Sequence, residues 1–341
     1  MQHVAIDLGS KESQICIRRP DGSILDERKY PTRKLVELVA TWEPSRVVME
    51  TCSEAFKIAD AAKAAGHEVR VVPGTLVRLL GVGERGIKND QRDAQQLSKA
   101  SWQTDVPSIH IPSSAARELR SICGARDVLI DSARKLTNNI RGWVRTQLWR
   151  LRPCSARTLG ERLRTHASTL DRTLPEHVER QLKTLSLVLE QLDEATAQLA
   201  RLAHEDPVCR RLMTIPGVGP ITAVRFVAVI DDPTRFSSAH RVQSYLGLTP
   251  GENSSSERER RTGITKAGPN AMRACLVQAA WAATRVRTTH PMIEWSRQIA
   301  ERRGRFVAVT ALARKISGIM FALWRDGASY EAKRSAKTAA A

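Results

Sequence analysis

The period of hydrophobic and polar positions shifts along the chain, and each shift marks a new kind of element. At the start, short apolar runs alternate with polar turns. Residues 3–9 (HVAIDLG) and 13–19 (SQICIRR) are Val- and Ile-rich strand patterns, and the turn Pro20-Asp21-Gly22-Ser23 leads to a third near 24–30. Arg46-Val47-Val48-Met49-Glu50 and residues 67–72 supply a fourth and a fifth strand. Helical patterns fall between them at 33–42 and 54–65, the second with Ser53 as N-cap and Gly66 as its stop. Three strands of antiparallel spacing, then alternating helix and strand, predict an α/β domain: a mixed sheet with helices on its faces.

From about 113 the apolar positions spread to helical spacing. Ile122, Leu129, Leu136 and Trp143 recur every seven residues. Leu182, Leu185, Leu189, Leu192, Thr196, Leu199 and Leu202 alternate steps of three and four. That stripe predicts a coiled coil or an antiparallel helical hairpin, with Pro153 and the stretch to about 174 separating the two helices. A bundle within one chain and an oligomerising coiled coil both satisfy the pattern. A third, mainly helical region begins near 206 and includes helices at 269–287 and 305–325. The expected organisation is therefore an α/β domain over 1–107, a helical connector over 108–205, a C-terminal domain over 206–326 and a disordered Ala- and Lys-rich tail over 327–341.

Composition narrows the partners. Lys and Arg number 54 against 36 Asp and Glu, a net charge of +18. Such a surface attracts polyanions through counterion release, so nucleic acid is the first partner to consider. No segment reads as the roughly 20 consecutive apolar residues of a bilayer span, and no membrane is expected. The N-terminus opens directly into a strand without a signal-peptide pattern. The six cysteines are scattered without a CxxC pair. A reducing cytoplasmic, nucleoid-associated setting is the expectation.

Several acids occupy positions that solvent exposure alone does not explain. Asp7 interrupts an apolar strand and Glu50 closes another, where a carboxylate needs a partner and a cation is the usual one. Asp90 and Asp93 are three apart in Lys88-Asn89-Asp90-Gln91-Arg92-Asp93-Ala94, so one helical turn presents both. Hard oxygen donors of this kind suit Mg²⁺ (or Mn²⁺) and phosphodiester chemistry. Further along, Thr214-Ile215-Pro216-Gly217-Val218-Gly219-Pro220 reads as the hairpin of a helix-hairpin-helix, with Gly217 and Gly219 letting the backbone approach a phosphate. The loop over 247–269 joins Asn253-Ser254-Ser255-Ser256 to the cations Arg258, Arg260, Arg261 and Lys266, where a hydroxyl is placed to attack a charge-neutralised phosphate.

Ala5-Ile6-Asp7, the strand-end Glu50 and the Asp90/Asp93 helix together resemble the RuvC-like, DEDD-type transposases of the bacterial insertion-sequence one-ten family, also called bridge recombinases. The Pro216–Pro220 hairpin and the Gly247-Leu248-Thr249-Pro250 element resemble that family's second domain. The resemblance implies an RNase H-like (RuvC-like) N-terminal domain and a mainly α transposase domain. It further implies metal held by Asp7, Glu50, Asp90 and Asp93, and a nucleophilic serine matched by position to Ser255, with Ser254 as the alternative. Family members commonly follow the serine with glycine, where this chain has Ser256. A covalent serine–DNA intermediate, double-stranded donor and target DNA, a non-coding guide RNA and a homo-oligomer (dimer or tetramer) come with the resemblance. Two other readings compete. A Holliday-junction nuclease would use the acids and water alone. An actin-like or sugar-kinase ATPase would use Asp7-Leu8-Gly9-Ser10, but the second phosphate loop and adenosine element it needs do not stand downstream.

Overall fold

The computed structural model describes residues 1–77, 90–252, 261–285 and 290–331. The chain divides into two compact units, Met1–Pro112 and Ser113–Ala341. The first is built on β1 (His3–Asp7), β2 (Glu12–Arg18), β3 (Ile24–Pro31), β4 (Arg46–Glu50) and β5 (Glu68–Val72), in the spatial order β3-β2-β1-β4-β5. β1 pairs antiparallel with β2, and β2 with β3, while β4 runs parallel to both β1 and β5. The central strands are buried on both faces, which is why they read as near-continuous Val/Ile runs.

Helices α1 (Leu35–Val39) and α2 (Ala55–Ala64) cover one face, closing Leu35, Val39, Ile58 and Ala59 over Val4, Ile6, Ile15, Val47 and Met49. Each large aliphatic side chain buried there contributes about 1.5–3 kcal/mol. After the short α3 (Gly74–Val77), helix α4 (Asp90–Gln103) covers the other face, setting Leu97 and Ala100 against Ala5, Val48 and Val72. Ser53 is not the cap of α2: Glu54 holds that position and makes no side-chain cap bond.

The second unit starts with α5 (Ser114–Thr146), α6 (Ala156–Ser168) and α7 (Glu176–Glu205). Ser113 caps α5 by accepting from the Ala116 amide. Prolines do separate α5 from α7, but the gap holds α6, capped by Ser155 and seating Leu159 and Leu163 against Ile140, Val144, Leu182 and Leu185. The leucine stripe of α7 therefore packs largely within its own chain. The division expected at 205 does not appear. Cys123 on α5 and Leu199 and Ala203 on α7 belong to the same core as the helices that follow, so the connector and the C-terminal region are one unit.

Those helices are α8 (Pro207–Leu212), α9 (Pro220–Ile230), α10 (Ala239–Tyr245), α11 (Asn270–Arg285), α12 (Pro291–Arg303) and α13 (Arg305–Asp326), with a hairpin of β6 (Pro250–Glu252) and β7 (Arg261–Ile264). The α5–α9 contact is polar as well as apolar. Arg120 donates to the carbonyls of Ala228 and Val229 at the end of α9, and Arg225 pairs with Asp127 at 2.6 Å. Helix α13 is long and apolar enough to cross a bilayer, which corrects the expectation that no segment is. Its Leu312, Ile316, Met320 and Phe321 are fully buried in the core instead. Tyr245 closes α10 and remains part-exposed beside Phe236. The expected tail is anchored at its start. The Tyr330 amide donates to Thr214 Oγ1 (2.9 Å) and its ring stacks on His290, while 332–341 lie outside the described residues.

Candidate active site

The strand register assembles the first pair of acids. β1 and β4 pair Ala5 with Val48 and Ile6 with Met49, so Asp7 and Glu50 follow at the same level and close their strands together. Side chains alternate between faces, and Ala5 and Val48 lie under α4. Asp7 and Glu50 share that parity and therefore that face. Both are half-buried. A side chain on Gly74 would stand 2.5 Å from Glu50 Oε1, so the bare backbone at the start of α3 is what gives the carboxylate its place.

The second pair comes from α4, whose direction is set by hydrogen bonds. Ser101 Oγ lies 2.9 Å from His3 Nδ1 and Ser98 Oγ 3.2 Å from Cys16 Sγ, which aligns the end of α4 with the beginning of β1. The beginning of α4 consequently lies toward the end of β1 that bears Asp7. Asp93 and Asp90 precede the buried Leu97 and Ala94 by one turn each, and so lie on the sheet side of the helix. Asp93 is half-buried. Asp90 borders a cavity of about 480 Å³ with Gly9, Ser10 and Lys29.

Four carboxylates on one face form a donor set suited to hard divalent cations. They are not drawn together: among the described residues no three His, Cys, Asp or Glu side chains stand close enough to hold an ion. Register aligns Asp7 with Glu50, and the helical acids share the face. The opposite ends of β4 and β5 carry a structural ion network of Arg46, Arg70, Glu68 and Asp105. Burial of Glu68 works against its ionisation, but bonds from Arg46 and Arg70 outweigh this and hold its carboxyl below the usual range.

In the second unit the expected hairpin exists, joining α8 to α9, but its glycines differ in role. Gly217 has φ +85°, and a side chain there would meet the Ala279 carbonyl oxygen at 2.2 Å and the Ala283 amide nitrogen at 2.8 Å. Its bareness serves the close packing of α11, a role apart from the phosphate contact expected of this residue. Around Gly219, the N-cap of α9, the space is open. Ser254, Ser255, Arg258 and Arg260 lie outside the described residues. Arg261 begins β7, across from Glu252. Lys266 is held at φ +56°, a left-handed conformation that side-chain-bearing residues adopt seldom. Its amide donates to the Gly247 carbonyl, in a turn tight enough that a side chain at 247 would lie 2.0 Å from Ala267 O.

Reasoning from sequence passed over Gly74, although a glycine just beyond a strand end is a signal of close approach. It also missed the cationic and aromatic side chains that α12 and α13 bring beside the β6–β7 hairpin, which are far apart in sequence and carry no motif.

Residues 209–293 match the transposase family IS116/IS110/IS902, and residues 4–147 match a DEDD-type IS110 transposase family. The chain is 26% identical over 326 residues to the transposase of insertion sequence element IS1111A from Coxiella burnetii, spanning 94% of this chain and 88% of that protein. It is 26% identical over 333 residues to the transposase of element IS1328 from Yersinia enterocolitica, spanning 95% and 97% respectively.

Proposed function

Because the chain belongs to the IS116/IS110/IS902 family of transposases, we propose that it cuts and transfers DNA strands by transesterification, with four carboxylates on the first unit and a serine nucleophile on the second. The observation carrying this reading is the β1–β4 register, which closes two adjacent parallel strands with Asp7 and Glu50 on the face that α4 and its Asp90 and Asp93 share. The first unit is then an RNase H-like domain, a reading its mixed five-stranded sheet supports. Asp7, Glu50, Asp90 and Asp93 are the residues that would hold Mg²⁺ or Mn²⁺, whose chemistry is neutralisation of the charge developing on a phosphate.

Ser255 attacks the scissile phosphate. Its Oγ–P bond forms as the bond from phosphorus to the 3′ oxygen breaks, and the proton lost by the serine is balanced by the one gained at the 3′-hydroxyl. A phosphoserine link conserves the phosphodiester, so attack by another strand's 3′-hydroxyl restores continuous DNA without ATP. The amides at the open N-terminus of α9, beyond Gly219, and the cations Arg258, Arg260, Arg261 and Lys266 bind backbone phosphates. Resemblance to the family supports a non-coding RNA that guides the choice of donor and target, and a homo-oligomer as the working form.

The test is incubation of protein, Mg²⁺, guide RNA and DNA, followed by denaturing electrophoresis for a protein–DNA adduct. The adduct is expected with the wild-type chain and lost with Ser255→Ala. Its persistence in Ser255→Ala would remove the serine assignment, and adduct-free cleavage would favour a water-using junction nuclease. Asp7→Ala is expected to abolish cleavage while leaving RNA binding intact; equal loss of both would make Asp7 a folding residue.

A further inference from the structure

A cleft of about 950 Å³ lies in the second unit, beside the β6–β7 hairpin. Leu248 and Ile264 form its apolar floor on the hairpin side, and the start of α13 forms the opposite wall. There Phe306 is 81% exposed and Val307 43% exposed, side by side at the mouth. Phe306 is not loose: its ring meets Trp281 edge-on, with centroids 6.2 Å apart, so one face stays presented to solvent.

Around these apolar walls stand Lys266, Arg303, Arg314 and Lys315, and the lining contains no acid. Among the described residues none of these cations forms an ion pair. Arg314 is held by neutral partners, donating to Gln243 Oε1 at 3.0 Å, and Lys315 lies over the Trp295 ring at 4.2 Å. A cleft with an exposed aromatic platform and cations at its rim has the two components of single-strand recognition: a surface for a base and charges for its backbone. A duplex keeps its bases stacked inside, so Phe306 would have no use for one.

We propose that this cleft seats an unstacked base of the DNA strand being cut, with the base against Phe306 and its phosphates on Lys266, Arg303, Arg314 and Lys315. The inference rests on the transposase reading, and it deepens it. The hairpin strands flank residues 253–260, the stretch of sequence that carries Ser254 and Ser255. A base seated beside this hairpin opens the duplex there. It also accounts for Lys266 being kept in a left-handed conformation at the rim.

The test uses the full chain and a single-stranded DNA oligonucleotide carrying 2-aminopurine, with quenching and affinity followed at several salt concentrations. Phe306→Ala is expected to abolish quenching and weaken binding about tenfold, a step of ~1.4 kcal/mol. Phe306→Trp is expected to restore both. Arg303→Gln is expected to flatten the slope of log K against log salt by about 0.7, one single-strand phosphate contact. Unfolding by denaturant should be unchanged in all three, because these side chains are exposed. Unchanged quenching and affinity in Phe306→Ala would overturn the proposal. Binding of an RNA oligonucleotide but not the DNA one would overturn it also, as would a change in oligomeric state alone, which would make a second copy of the chain the occupant. The covalent adduct assay separates this result from the wider reading: quenching without an adduct removes the serine mechanism and leaves the cleft, whereas an adduct without quenching removes the cleft alone.

Discussion

In the first unit the candidate chemistry is aligned by hydrogen bonds between neighbouring strands; in the second it is shaped by helices packed so closely that only glycine fits between them. Asp7 and Glu50 share a level and a face because β1 and β4 are paired in register, and a one-residue slip would send one of them to the opposite face. The hairpin before α9 has no such ladder. Gly217 sets it against α11, and the helix it leads into is tied to α5 by Asp231 accepting from the Ser113 hydroxyl and amide and by the Arg225–Asp127 pair. A sheet thus aligns two acids from a short, readable pattern, while a helical unit builds its surface from contacts between residues a hundred positions apart. The two halves should accordingly respond differently to substitution.

The largest effect is expected where the helical unit has no room. Gly217→Ala places a side chain at positive φ and within 2.2 Å of a backbone oxygen, for a loss of about 3 kcal/mol or more in denaturant unfolding. Gly219→Ala, in open space, should cost less than about 1 kcal/mol. Weakened DNA binding by Gly217→Ala with stability intact would make Gly217 a phosphate contact and not a packing residue, and break the contrast. Next in size, Asp127→Ala strips the partner from Arg225, whose side chain is only 8% exposed. A loss of about 2 kcal/mol is expected, below the full buried-pair value because Asp127 is itself part-exposed. Equal stability of Asp127→Ala and wild type would show that water replaces the carboxylate.

In the sheet unit the corresponding change should move chemistry rather than stability. Gly74→Ala meets the end of a flexible side chain, Glu50 Oε1, and not backbone. About a tenfold fall in DNA cleavage rate, near 1.4 kcal/mol of barrier, is expected with an unchanged unfolding midpoint. A large loss of stability with no change in rate would mean that Glu50 is structural. The smallest effect belongs to the exposed helical surface. Arg164 bonded to Glu179 holds that carboxyl below its usual range. The depressed folded value means the pair stabilises above the unfolded carboxylate's pKa and stops doing so as pH falls through the folded one. Glu179→Gln should cost at most about 0.5 kcal/mol at neutral pH, given the solvent screening, and nothing in strong acid. A difference that persists in acid would point to packing in place of charge.

Much of the first unit was legible in its sequence, because its strands are short and buried and each one's pattern stands in a single window. All five strands, the mixed sheet and the strand-end acids could be read that way. The second unit was legible only as helices. Helix α6 hid in a proline-bounded gap that lacks a long apolar stripe. Tyr245 is exposed although its neighbours Leu246 and Leu248 are core, because it closes α10, and its local sequence does not show that.

What the sequence determines by itself is the inventory of charge and chemistry: a strongly basic chain, four acids at positions where apolar or unremarkable residues would serve, and serines set among arginines. Only the tertiary structure decided how these are used. It put Asp7 and Glu50 at one level through register and set Asp90 and Asp93 on the same face, with no three of these acids close enough to hold an ion. It also packed Gly217 against α11, and joined the predicted connector to the C-terminal region as one core. The physical reason is common to all of these. Residue type and spacing act within a turn or a strand, whereas register, close approach and shared burial depend on partners that the local chain does not contain.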